Sequence, residues 1–442
     1  MGMVHTNGDS MMSLNSYKEA EIRLYNFYLI DRVKENPHFE AWMRFLQNYF
    51  IAMKLLTKDI GPREVSDLLG VKEGTVKSWL RGQVPYLVIL ASQVPSEEPA
   101  LNYRWLPMFI DNRWRYRNFI QVPIRLEKYV DVLKVLKQVK EIESGKMRVF
   151  KKKFRGIDEE FALGYILGLM ISDSDKDSQN TISTRLRLGL SKKDRSNLNI
   201  GEAFCYCLGM LGITAKRFKD GKASRKAPNG RFVWRSQYSP LISWLKKSCL
   251  GLNRKETTTY TPVKCDWMLK SPENFRVAIL NGIYDGDGCA YIRGWQVTNA
   301  CGPNQIFLQK LLDSFGIRSK IRGPKVVIET KDDLRKASRL CLFKFASERV
   351  DKTKSLIKML ENSKYVHSRK DYDLIIERIL RLHKAGYKPK DIPLKVFDEF
   401  RIGIHPRRIY TILKRRDFYG KKSKSTVPRG SWKGFPQLQH AV

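Results

Sequence analysis

Two stretches of the chain, Leu163 to Asp177 (LGYILGLMISDSDKD) and Val277 to Gly288 (VAILNGIYDGDG), share a pattern that leaves little freedom in how the protein can fold. Each is an apolar run at helical spacing, notched by a glycine (Gly168, Gly282), and each ends in aspartates. A glycine in mid-helix costs about 1 kcal/mol relative to alanine, so it needs a compensating contact. The missing Cβ supplies one, because two such helices can pack backbone against backbone. Five residues beyond each glycine stand Asp173 and Asp287. Packing glycine on glycine therefore predicts that these two carboxylates meet at the helix C-termini.

That is a poor place for two anions: the helix macrodipole there is already negative, and like charges repel. A divalent cation removes the conflict. Paired carboxylates in a basic protein are a candidate hard-metal site, with Mg²⁺ (or Mn²⁺) suited to oxygen ligands and phosphate chemistry.

GLMISDSD (Gly168 to Asp175) and LNGIYDGDG (Leu280 to Gly288) resemble the two signature motifs of a double-motif, monomeric LAGLIDADG homing endonuclease. The second copy is the closer; in the first, Ser174 stands where the second has Gly288, and Ile171 where it has Asp285. The resemblance implies an α+β fold of two pseudo-symmetric αββαββα units forming a saddle-shaped sheet, with Asp173 and Asp287 as catalytic metal ligands. It further implies a basic side chain beside the reacting phosphate in each unit. By position in the unit, Lys255 and Lys344 are the candidates.

Charge points the same way. Lys and Arg number 82 against 45 Asp and Glu, a net charge of +37 on 442 residues, an excess that makes sense when a polyanion neutralises it. Nucleic acid is the first candidate and an anionic membrane surface the second. No apolar run is long enough to span a bilayer, and the N-terminus lacks the layout of a signal peptide, so a membrane role is not expected. Seven scattered cysteines and six histidines draw no zinc site and fit a reducing, intracellular setting.

In chain order, residues 1–15 read as disordered and 16–95 as a helical domain, with two helices between Tyr17 and Leu56 breaking near Asn36-Pro37. Pro62 to Gln83 resembles a helix-turn-helix: Val65, Leu68 and Leu69 form one apolar face, Gly70 a turn, and Val76, Trp79 and Leu80 the next face. Lys72, Lys77 and Arg81 then point outward toward DNA. Residues 96–156 read as a linker or helical connector. Units 157–265 and 266–362 follow, then a second helix-turn-helix-like segment within 363–419 that carries Arg407 and Arg408 outward, and a basic flexible tail, 420–442.

Duplication is visible beyond the motifs. Leu208, Leu211, Gly212, Ile213 and Lys216 align with Leu312, Phe315, Gly316, Ile317 and Lys320. Strands with alternating basic residues follow each motif. Arg185, Arg187, Arg231, Arg235, Tyr291, Arg293, Gln296 and Thr298 are the expected DNA-reading positions. The sequence reading is a sequence-specific endonuclease acting as a monomer on double-stranded DNA. The alternative is a binder of DNA or intron RNA, a transcription regulator or maturase that keeps the fold without cleaving.

Overall fold

A computed structural model describes residues 14–419, apart from 111–114, 144–151, 178–183, 224–227, 254, 292–295, 362–368 and 405. The expected disordered N-terminus, the basic stretch before Gly156 and the basic tail therefore lie largely outside the described residues, as does Arg293. The chain divides into two compact bodies, residues 1–290 with 297–353, and residues 291–296 with 354–442.

The first body opens with α1 (Tyr17–Tyr25), α2 (Ile30–Lys34), α3 (Phe39–Leu56), α4 (Pro62–Leu69), α5 (Glu73–Leu80) and α6 (Tyr86–Gln93). Three helices, not two, thus fill the span from Tyr17 to Leu56. Pro62 starts α4 at a position where its missing N–H costs nothing, and Gly70 ends it in the left-handed region at φ 62°. Ala52, Val65, Val76 and Trp79 form the core that joins α3, α4 and α5. Leu68 and Leu80, expected on the inner faces, are 63% and 50% exposed. Two short helices meeting a single partner bury only one stripe each, and Trp79 fills that space with Phe45 and Tyr49 packed edge-on.

The expected helical connector contains instead an antiparallel hairpin, β1 (Tyr103–Ile110) and β2 (Tyr116–Pro123), followed by α7 (Tyr129–Glu143). The hairpin ties the N-terminal helices to the domain that follows. Trp105 exchanges backbone hydrogen bonds with Asn26 and Tyr28, and the Trp244 indole donates to the Pro123 carbonyl at 3.0 Å.

Next come two copies of one element order. The first is α8 (Glu159–Ile171), β3 (Ser174–Asp177), β4 (Arg185–Ser191), α9 (Asn197–Met210), β5 (Ala215–Arg217), β6 (Arg231–Ser236) and α10 (Pro240–Trp244), which runs on as a π-helical turn over Leu245–Cys249. The second is α11 (Glu273–Asp287), β7 (Gly288–Tyr291), β8 (Gln296–Asn299), α12 (Gln305–Asp313), β9 (Lys320–Arg322), β10 (Lys325–Ile328) and α13 (Lys331–Arg339). The two four-stranded sheets have the same order, β3-β4-β6-β5 and β7-β8-β10-β9. Mixed helix and antiparallel sheet make the fold α+β. On β4, Leu186, Leu188 and Leu190 are buried while Arg187 between them is exposed, the period-2 signature of a half-buried strand.

α14 (Ser347–Glu361) leads to the second body, where α15 (Arg369–Lys384), α16 (Ile392–Phe400) and α17 (Pro406–Tyr419) pack through Ile375, Ile379, Leu382, Ile392, Val396 and Ile409. Pro393 falls in the first turn of α16, where proline is tolerated. Among the described residues no helix is long and apolar enough to cross a membrane.

Candidate active site at the motif helices

α8 and α11 meet along a glycine seam. A Cβ built on Gly168 would lie 2.2 Å from the Ile279 carbonyl oxygen, and one on Gly282 would lie 2.2 Å from the Tyr165 carbonyl oxygen. Both obstacles are backbone, so only glycine lets the helices come this close. One turn earlier, a Cβ on Gly164 would lie 2.9 Å from the Ala278 Cβ and 3.1 Å from the Phe275 carbonyl oxygen. Ser172 crosses the seam at its end: its hydroxyl donates to the Gly168 carbonyl at 3.2 Å and lies 3.4 Å from the Gly282 carbonyl. Asp158 starts α8 by accepting from the Phe161 N–H at 2.7 Å.

The seam brings Asp173 and Asp287 into hydrogen-bonding contact. Burial pushes the Asp287 carboxyl up to about 8, the Asp173 charge and the hydrogen bond that protonated Asp287 donates to Asp173 add to the rise, and Arg349 opposes it. Two carboxyls side by side, one of them holding its proton into the neutral range, form a donor set short of a cation. This arrangement fits a hard divalent ion that takes its other ligands from water and phosphate. Among the described residues no group of three or more His, Cys, Asp or Glu side chains converges, so the pair stands without a third such ligand.

Asp285 does different work. It is fully buried and accepts from the N–H groups of Lys344, Phe345 and Ala346 at 3.1, 3.0 and 3.3 Å and from the Tyr165 hydroxyl at 3.1 Å. It thus fixes the segment that enters α14. Burial raises its carboxyl to about 6 against the pull of these donors.

Arg349 follows from that anchorage. Its guanidinium donates to the carbonyls of Tyr284, Asp285 and Gly286 at 3.2, 2.6 and 3.3 Å and to Asn197 Oδ1 at 3.0 Å, and it pairs with Asp194 at 3.4 Å. A cation on the last carbonyls of α11 satisfies groups that the helix leaves unbonded, and it offsets the negative end of the dipole beside Asp287. Sequence reasoning missed Arg349. It stands 62 residues after Asp287, and no local pattern marks it.

The other expected site residues divide. Arg185, Arg187, Arg231 and Arg235 lie on one face of the first sheet: Arg187 pairs directly with Arg235, and Ser191 with Arg231. Tyr291 is exposed and Gln296 half-buried. Thr298 departs from the expected exposed position. It is 6% exposed and pairs with Val327, which is 2% exposed, so its hydroxyl presents nothing to a base. Arg408 is half-buried, and its guanidinium donates to the Tyr372 hydroxyl at 2.8 and 3.2 Å. Arg407 lies in α17. Lys72, Lys77 and Arg81 are exposed along α5, with Lys77 paired to Glu73 at 2.8 Å.

Neither candidate lysine is gathered at the carboxyl pair. The Lys344 ammonium lies 5.8 Å from the centre of the Phe161 ring, near the start of α8 and about three turns back from Asp173. Lys255 lines a cleft of about 620 Å³ with Tyr28, Asp31, Arg32, Asn253 and Lys247.

The protonation pattern sets a pH dependence. Asp287 and Asp285 in the folded chain keep protons that an unfolded carboxyl, near 3.8, has already released. The folded state therefore binds more protons between about pH 4 and about pH 8, and the stability of the metal-free protein falls as pH rises through that window. Ions that bind the charged carboxylates flatten the fall. Calorimetry in chelator at about pH 6 and about pH 9 is expected to give the lower melting temperature at the higher pH, with a smaller gap in Mg²⁺ and in Asp287→Asn. Equal gaps in wild type and Asp287→Asn contradict the shared-proton pair.

No family model matches the chain, and no curated protein matches it. Solved structures of the homing endonuclease I-DmoI are similar to part of it. The complex of I-DmoI with DNA and Mn is 16% identical over 42% of this chain and 99% of that one, with a TM-score of 0.30. A set of mesophilic I-DmoI variants is 15% identical over 44% of this chain and 98% of that one, with a TM-score of 0.32. At such TM-scores the likeness has no weight of its own. What the site can do rests on its carboxyls, its charge and its strand faces.

Proposed function

We propose that the protein is a sequence-specific endonuclease of double-stranded DNA, of the LAGLIDADG type, that works as a monomer with an internal pseudo-twofold between its two αββαββα units. The observation that carries this reading is the carboxyl pair: two repeated helices, notched by glycine, deliver Asp173 and Asp287 to one point. In this reading the two sheets form a saddle on the duplex. Asp173 and Asp287 hold Mg²⁺ or Mn²⁺, which when bound lowers the pKa of the attacking water and takes up charge on the leaving oxygen. Arg349 keeps the end of α11, and so Asp287, in place. The arginines of the first sheet hold the duplex in register, and exposed Lys72, Lys77 and Arg81 on α5 add contacts to flanking DNA as a helix-turn-helix.

The test is incubation of the full chain with a duplex library in Mg²⁺ and, separately, in chelator. Double-strand ends at a defined sequence, in Mg²⁺ alone, are expected. Sequence-selective binding without ends in Mg²⁺ favours the second reading, a regulator or intron-RNA maturase, which draws on the short helix pairs α4–α5 and α16–α17.

The net charge of +37 makes binding steeply salt-dependent. With about six to ten phosphates neutralised, affinity falls about 10³- to 10⁵-fold between about 50 and about 200 mM salt. A response flat across that range removes the electrostatic basis of either reading.

A further inference from the structure

The two motif helices end on matching carbonyls that are satisfied from different sources. Met170 on α8 and Tyr284 on α11 each stand two residues after a seam glycine, so their carbonyls correspond. The Tyr284 carbonyl accepts from Arg349 at 3.2 Å, whereas the Met170 carbonyl accepts from the Thr258 hydroxyl at 3.1 Å. Thr258 lies in the segment that joins the two units. That segment therefore caps the end of α8 at a carbonyl three residues before Asp173.

The same segment is fastened on its other side. Asn304, 1% exposed in the short turn before α12, donates to the Thr258 carbonyl at 3.1 Å and accepts from the Val263 N–H at 2.9 Å. A Cβ on Gly302 would lie 3.7 Å from the Thr259 carbonyl oxygen, so the same short turn also backs the segment at that residue. Between these fastenings the backbone turns tightly: the N–H groups of Tyr260 and Thr261 both donate to the Thr257 carbonyl, at 3.1 and 2.8 Å. A buried asparagine is unfavourable unless its amide is bonded, and here both ends of the amide hold this one turn.

What the turn presents is Tyr260, 86% exposed; among the described residues the next most exposed aromatic, Tyr410, is 46% exposed. From Thr257 to Val263 the chain reads TTTYTPV, with no carboxylate to repel a phosphate, and Lys264 follows. A loop already held from two sides loses little freedom on binding, so a contact made through it keeps most of its energy. A tyrosine ring offers an apolar face on which a base can stack. Tyr260 follows Thr258 by two residues, at most about 7 Å of chain, and Met170 lies within about one helical turn of Asp173. A duplex laid across Asp173 and Asp287 therefore passes this ring within a few base pairs of the cut.

Building on the endonuclease reading above, we propose that Tyr260 is a positioning residue for the duplex. Its ring stacks on a base step near the cut and opens that step, and the resulting bend seats the scissile phosphates on the carboxyl pair. The staple of Thr258 and Asn304 holds the ring in register with the end of α8.

The experiment uses the full chain and a duplex selected from the library, with the fluorescent base 2-aminopurine placed at one position at a time. In chelator nothing is cut, and brightening reports an opened step. Wild type is expected to brighten one step near the cut, Tyr260→Phe to keep that signal and Tyr260→Ser to lose it. In Mg²⁺ the cleavage rate at saturating protein is expected to fall about tenfold or more in Tyr260→Ser and to stay within about twofold in Tyr260→Phe, while affinity for random duplex changes less than about threefold. Melting curves are expected to coincide, because the side chain is exposed. Equal brightening and equal rates in wild type and Tyr260→Ser overturn the inference and leave the endonuclease reading in place. Loss of brightening at an unchanged rate keeps the contact but overturns its positioning role. Brightening that depends on Tyr260, without cutting by wild type, supports the contact and overturns the endonuclease reading.

Discussion

Asp287→Asn is expected to lower the rate of DNA cleavage by at least about 10³-fold while leaving duplex affinity within about threefold of wild type. The magnitude follows from asking one carboxylate to supply several kcal/mol of charge stabilisation through a bound divalent ion, at 1.36 kcal/mol per factor of ten. An amide keeps the shape and one acceptor oxygen, but it cannot offer the anionic oxygen that a hard cation needs. Affinity is spared because Asp287 ends α11 and is not on the arginine face of the first sheet. The variant should also fold well, since the amide N–H₂ can donate to the Asp173 carboxylate where the protonated carboxyl does. Cleavage in Mg²⁺ and fluorescence anisotropy in chelator, measured on the same preparation, check both halves of the expectation. Cleavage within about tenfold of wild type removes Asp287 from the chemistry.

Gly168→Ala is expected to cost about 3 kcal/mol or more, a drop of about 10 °C in the melting of the domain that holds the motif helices. The added methyl carbon would lie 2.2 Å from the Ile279 carbonyl oxygen and 2.9 Å from the Gly282 Cα, and backbone on both sides has no rotamer to yield. The helices must separate instead. That separation moves Asp173 relative to Asp287, so metal-dependent cleavage should fall even where the chain remains folded. Gly189→Ala is the control: its Cβ meets only the Arg231 Cδ, at 3.8 Å, an ordinary contact. Melting of both variants by calorimetry decides the matter, and equal melting temperatures would mean that the seam is not what sets the helix spacing.

The parts of the fold that were legible in the sequence are those where a local pattern and a tertiary contact agree. Gly168 and Gly282 announce the seam because a mid-helix glycine is unfavourable without close packing. Leu186, Leu188 and Leu190 announce a strand by alternation, and the repeat at Gly212 and Gly316 announces duplication. The hairpin of β1 and β2 was not legible. Its mix of aromatic and basic residues shows no clean alternation, since Leu106, Pro107 and Met108 run consecutively and the strand is fixed by bonds to Asn26 and Tyr28. At the site, Asp173 and Asp287 could be read from spacing, whereas Arg349 could not, because its partners on α11 and α9 are brought to it by the anchorage of residues 344–346 on Asp285. Thr298 was misplaced for a related reason: alternation gives the face of the sheet on which a residue lies, but not whether that face is covered at that row.

The central claim is that Asp173 and Asp287 together hold a divalent ion at the scissile phosphates of a duplex. A crystal of the protein with a selected duplex, grown in Mn²⁺ and measured for anomalous scattering at the manganese edge, tests it most directly. The expected result is manganese at ligand distance from carboxylate oxygens of both Asp173 and Asp287 and from phosphate oxygens of the duplex. Manganese bound elsewhere on the protein, with the two carboxyls still sharing a proton beside uncut DNA, would contradict it.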